Sequence, residues 1–148
     1  MRLTPEIDNA TGVPMGIPVS ELERVLDQKP IALLLTEPGY LGTISELSSL
    51  IAKAHQNSIP VIIDAAWGAH AGEVVCVVSK LCSMRSRFNN LPCASNSADA
   101  LITSVHKALP GYSASALLLA QGNLLNLDRI EQSFETTHTT SPAGAFCL

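Results

Sequence analysis

Apolar positions recur with two different periods along this chain, and each change of period marks an element. In "VSELERVLDQKP", Leu22, Val25 and Leu26 fall on one helical face, which predicts a helix capped by Ser20 and stopped by Pro30. "IALLLTEP" follows as a continuous apolar run, the pattern of a strand buried on both faces. Helical spacing returns in "TISELSSLIAKAHQN". There Leu47, Leu50, Ile51 and Ala54 make a stripe, and Thr43 and Glu46 have capping-box spacing. A short loop at Asn57 and Ser58 leads into "IPVIID", a second buried strand. Strand, helix and strand in this order predict a right-handed βαβ unit with parallel strands.

The flanks are less regular. The segment through about Pro18 is rich in Pro, Gly and Asn and reads as an extended lead-in. From Ala71 to Ser97 the periodicity fails: "EVVCVVSKLC" fits strand or helix, and "SMRSRFNNLPCASNS" reads as loop. Order resumes with "ADALITSVHK" as a further buried strand and "SASALLLAQG" as another. "NLDRIEQSFE" reads as a short helix capped by Asn126. The expected fold class is α/β, a mostly parallel sheet flanked by helices.

Composition narrows the function classes. The 148 residues suit one domain, and 47% hydrophobic against 15% charged residues is apolar enough to reserve some surface for a subunit interface. A net charge of −4 gives no electrostatic reason to expect nucleic acid or an anionic membrane as partner. No apolar run reaches spanning length and "MRLTPEIDNATG" lacks the core of a signal peptide, so the expected location is cytoplasmic. Cys76, Cys82, Cys93 and Cys147 contain no C-x-x-C pair and no zinc spacing, so they read as reduced thiols and no metal site is expected.

Two ionisable residues close apolar strands. Asp64 ends "IPVIID" and Lys107 ends "ADALITSVHK". In a parallel α/β sheet, ligands gather beyond the carboxyl ends of the strands, so both would face one crevice. Taken singly, Asp64 could equally cap a turn and Lys107 could lie in solvent. Their neighbours shift the balance: "AAWGAH" is small enough for a flat ligand to lie close, while Ser104 and His106 can donate to a phosphate. A carboxylate, a desolvated lysine and phosphate donors are the kit for pyridoxal phosphate (PLP), in which burial makes the amine nucleophilic and the carboxylate keeps the pyridine nitrogen protonated. His55 reads as a surface or C-cap histidine, and His70 and His138 as crevice or turn residues.

In that order and spacing, "DAAWGAH", "TSVHKALPGYS" and "THTTSPAGA" resemble the ornithine/lysine/arginine decarboxylases of PLP fold type I. "LLLTEPGYLGTISELSSLIAKAHQNSIPVIIDAAWGAH" extends the resemblance back through a T-x-P-x-Y-x-G turn, leaving out only about residues 73 to 90. The resemblance implies that Lys107 is the Schiff-base lysine and Asp64 the pyridinium partner. It implies Ser104 and His106 beside the phosphate, Ala66 under the ring, and Trp67 where relatives carry His or Trp. Tyr40, Thr139, Thr140 and Ser141 are implied at substrate or cross-subunit contacts, in a homo-oligomer or with a complementing chain. The implied reaction is decarboxylation of a basic amino acid.

The chain also departs from that pattern. It corresponds to a central slice of the large domain, residues 1–148 reading as an incomplete PLP-binding domain with an irregular insertion at 73–97. The upstream phosphate loop and the C-terminal domain have no counterpart, and Ala114 stands where Gln is usual. A truncated homologue is therefore expected. The alternative to an active decarboxylase is a catalytically inactive remnant or interaction module that keeps the βαβ core. An unrelated nucleotide-binding domain would need the G-x-G-x-x-G or Walker motif that this chain lacks.

Overall fold

Among the described residues, the apolar runs found above form elements, and those read as strands pair in one sheet; "EVVCVVSKLC" lies outside the described residues. The computed structural model describes residues 1–68, 98–108 and 115–137. Along the chain these are α1 (Val19–Leu26), β1 (Leu33–Thr36), α2 (Leu47–Gln56), β2 (Val61–Asp64), β3 (Ala100–Ser104), α3 (Val105–Ala108), β4 (Ala116–Ala120) and α4 (Leu127–Thr137). The fold class is α/β, with sheet order β1-β2-β3-β4. β1 and β2 pair in parallel from Leu33↔Val61 to Thr36↔Asp64, and β2 and β3 pair in parallel through Asp64↔Ile102. β4 runs antiparallel to β3, from Ala100↔Ala120 to Ser104↔Ala116.

The core lies on one face of this sheet. Leu22 and Val25 of α1 join Leu47, Leu50, Ile51 and Ala54 of α2 in a buried cluster with Leu33, Leu35, Val61, Ile63 and Leu101. Burying a Leu, Ile or Val side chain contributes roughly 1.5–3 kcal/mol, so this cluster is the main source of stability. The opposite face differs from expectation. β1 alternates, with Leu34 64% exposed between buried Leu33 and Leu35, and Ile102 of β3 is 39% exposed. These runs are apolar on both sides, yet only one side is covered among the described residues.

The helix ends also depart from the local signals. Ser20 lies inside α1, whose N-cap is Pro18 with no side-chain cap bond. The first turn instead places Glu21 where its carboxylate accepts from the Thr4 N–H (2.9 Å) and pairs with Arg24 (2.9 Å). α1 ends at Leu26, short of Pro30, because the Gln28 and Lys29 N–H groups close tight turns onto the Val25 and Leu26 carbonyls. Lys29 then turns the chain at φ 48°. α2 starts at Leu47 with Glu46 at its N-cap and no side-chain cap bond, so the Thr43–Glu46 box does not form; Thr43 belongs to the preceding turn, its carbonyl accepting from the Gly39 N–H (2.8 Å). Asn126 does cap α4, its Oδ1 accepting from the Arg129 N–H at 2.9 Å.

Two polar clamps order the rest. Buried Glu37 accepts from the N–H and hydroxyl of Ser45, and the Ser45 Oγ accepts from the Ile17 N–H (2.8 Å), which docks the lead-in. Gly16 is required at that junction, because a Cβ there would sit 2.6 Å from the Ser45 Cα. At the amino ends of β2 and β3, Asp99 Oδ2 accepts from the Val61 N–H and from His55 Nε2, both at 2.8 Å. His55 is thus tied into the fold, unlike the surface or cap histidine that its position suggests. The Asp99 backbone bonds Val61 on one side and Gln121 on the other, so three strands meet at this residue.

Replacing Asp99 with Ala leaves the Val61 N–H buried without a partner. The expected cost is about 1–3 kcal/mol, read as a lower urea midpoint at unchanged slope. A second expectation concerns acid. The Arg24 guanidinium, with the Thr4 N–H, holds the Glu21 carboxyl down from its ordinary 4.5 to about 2. A lowered folded-state value means the contribution is present above pH 4.5 and is lost as pH falls towards 2. It is small because solvent screens the exposed pair. Glu21→Gln should therefore flatten the stability profile between pH 4.5 and 2 in acid titrations followed by circular dichroism.

Candidate active site

Parallel pairing brings Thr36, Asp64 and Ile102 side by side at the carboxyl end of the sheet. Asp64 is the last residue of β2 and is half-buried, its side chain sharing the uncovered face with Ile102. One of its oxygens, Oδ1, accepts from the Ala66 N–H at 3.0 Å, so Asp64 does cap the following turn. A carboxylate has lone pairs for several donors, so that bond leaves capacity for a ligand. The turn is fastened to β3. The Ala65 N–H donates to the Ile102 carbonyl (2.7 Å), and the Ala65 carbonyl accepts from the Gly68 N–H and the Thr103 hydroxyl, both at 2.9 Å. Ala66 and Trp67 stand on this turn, with Trp67 54% exposed.

Lys107 does not close a strand. β3 ends at Ser104 and the chain enters α3, the Val105 N–H continuing the β3–β4 register by one more bond, to the Ser115 carbonyl (3.0 Å). The same carbonyl is 2.9 Å from His106 Nδ1. A carbonyl only accepts, so Nδ1 carries the hydrogen, and Nε2 can donate to an anion only when the ring is imidazolium. Ser104 lies on the Asp64 face, by register, and is 9% exposed. Lys107 itself is exposed, which corrects the expectation of a desolvated amine: that face of the sheet is uncovered among the described residues. Its Nζ lies 4.8 Å from the centroid of the Trp67 ring, a cation–π arrangement. No ion pair joins it to Asp64 among the described residues.

The structure therefore gathers Asp64, Ala66, Trp67, Ser104, His106 and Lys107 at the ends of two adjacent parallel strands. Tyr40 is elsewhere. It is 92% exposed in the turn from Gly39 to Thr43 and lines a hollow of about 430 Å³ with Thr36, Glu37 and Met15. A larger hollow of about 510 Å³ follows β1 beneath Met1 and Leu3 and includes none of the six. Cavity size does not locate the chemistry here. Thr139, Thr140, Ser141, His70 and His138 lie outside the described residues. Sequence reasoning missed Thr103 and Ser115, which hold the turns carrying Trp67 and His106. Thr103 had one legible signal, a polar residue on the core side of an apolar strand. Ser115 acts through its backbone and had none.

The chain is 32% identical over 141 residues to an arginine decarboxylase of Bacillus subtilis, covering 93% of this chain and 26% of that protein. It is 31% identical over 146 residues to the uncharacterized protein YaaO of the same organism, covering 95% and 28%. It thus spans about a quarter of the length of these relatives. Among solved structures, mouse CSAD in apo form superposes with a TM-score of 0.48 at 24% identity, over 80% of this chain and 24% of that one. The model of the Orn/Lys/Arg decarboxylase major domain matches residues 1–147, and the chain belongs to that family.

Proposed function

We propose that this chain carries the PLP-binding core of a decarboxylase acting on a basic amino acid, and that residues outside it complete the site. The observation that carries the reading is the placement of Asp64 and Lys107 at the carboxyl ends of adjacent parallel strands, where an α/β sheet takes its ligand. Arginine decarboxylases at 30% and 32% identity support the substrate class.

The residues present fit the cofactor by chemistry. Asp64 offers a carboxylate whose Oδ1 is steadied by one backbone donor, suited to hold a proton at a pyridine nitrogen. Lys107 offers an exposed amine that would hold the cofactor and would hold and return a proton at Nζ. Ser104 and the imidazolium form of His106 are donors for the phosphate, and Ala66 leaves room beside the backbone. When bound, the cofactor supplies an electron sink for the pair left behind as carbon dioxide departs. Tyr40, Thr139, Thr140 and Ser141 belong to contacts with substrate or a neighbouring subunit in this reading.

Burial of the amine and closure over the ring are what the described residues lack, and positioning dominates such chemistry. That favours completion by further polypeptide. The uncovered apolar face, with Leu34 and Ile102 exposed, supports a second reading, an inactive interaction module that keeps the βαβ core.

Adding PLP to the purified chain, reducing with borohydride and mapping by mass should place the adduct on Lys107. Asp64→Asn should cut adduct yield about tenfold, the loss of one charge-assisted bond. Absence of the adduct, or equal labelling of Lys29 and Lys53, would favour the interaction module.

A further inference from the structure

The Trp67 ring and the Lys107 ammonium are each held from behind. Trp67 stands on a turn whose Ala65 carbonyl is bonded both to Gly68 and across to Thr103 of β3. Lys107 stands on α3, pinned by the two bonds to the Ser115 carbonyl. Nζ lies 4.8 Å from the ring centroid, and the backbone bonds hold the two residues' Cα positions at the ends of adjacent strands. Among the described residues, the titratable groups at these strand ends are Asp64 at the end of β2 and His106 on α3, and Ser115 and Ala116 at the start of β4 carry no charge. His106 bonds Ser115 and Asp64 accepts from the Ala66 N–H, while the ammonium meets the indole face and forms no ion pair among the described residues.

We propose that Trp67 is the positioning residue of Lys107: its indole face holds the ammonium until a carbonyl compound takes the amine. The arrangement gives the cation a neutral partner, so Lys107 is held at the crevice mouth while the Asp64 carboxylate keeps its free lone pairs for a ligand. The purpose assigned to the pair rests on the reading of Lys107 as the site's reacting amine. The pairing itself is testable without any cofactor.

Trp67 is the sole tryptophan, so its emission reports this contact alone. Lys107→Met removes the charge at nearly constant volume and should shift the emission of Trp67. Reactivity gives the second readout. Glyoxylate condenses with a free amine as the nitrogen lone pair attacks the carbonyl carbon and water leaves. Cyanoborohydride then delivers hydride to the C=N carbon, and a secondary amine results. In an Asp64→Asn background, which removes the alternative anionic partner, Lys107 labelling is measured by mass against exposed Lys29. Replacing Trp67 with Leu should raise the Lys107/Lys29 ratio about two- to fivefold, the strength of an exposed cation–π contact. Trp67→Phe, which keeps a weaker ring, should fall between.

An emission unmoved by Lys107→Met, or a ratio unchanged by Trp67→Leu, would overturn the proposal. Glyoxylate has neither ring nor phosphate, so a chain that fails to take PLP still reports on the pairing. A Lys107–PLP adduct beside an unchanged labelling ratio would sink the pairing alone.

Discussion

The Asp99 carboxylate sets the relation between β2 and β3, and everything at the far end of the sheet inherits it. By accepting from the Val61 N–H and His55 Nε2, it locks the amino end of β2, the end of α2 and the start of β3 together. Side chains on a strand alternate with period two, so a slip of one residue would exchange the faces of Ile63 and Asp64. The carboxylate that caps the Trp67 turn would then point into the apolar core. A buried polar contact at one end thus decides which residue meets a ligand at the other.

The elements were legible wherever a period was. Leu47, Leu50, Ile51 and Ala54 are buried in α2 as their spacing required, and the apolar runs around Leu33–Thr36 and Val61–Asp64 pair in parallel. Cap signals fared worse because caps are competitions. Thr43 could have joined a capping box, but it belongs to the preceding turn. The His55–Asp99 pair spans 44 positions, and no local pattern announces a partner at that distance. Of the candidate site, Asp64 stands at the end of β2 where its strand-end position suggested, while Lys107, expected to close a strand, lies on α3 past the end of β3.

The site divides labour between fixed backbone and exposed chemistry. Main-chain bonds through Ala65 and Ser115 immobilise two turns, and the groups able to react stand on them with partial freedom. In the proposed function Lys107 changes partners, and this division suits that role. A neutral ring can release a cation with less reorganisation than a carboxylate, whose charge would need a replacement.

The sheet is dressed on one side only among the described residues. Leu34, Ile102 and Leu118 are 64%, 39% and 38% exposed on the face that also carries Asp64. Whatever covers those side chains binds the folded form in preference to the unfolded one, and so adds to stability by mass action. The melting temperature of such a chain is then a function of concentration as much as of sequence. The same face carries Asp64, so whatever covers its apolar side chains also encloses that carboxylate.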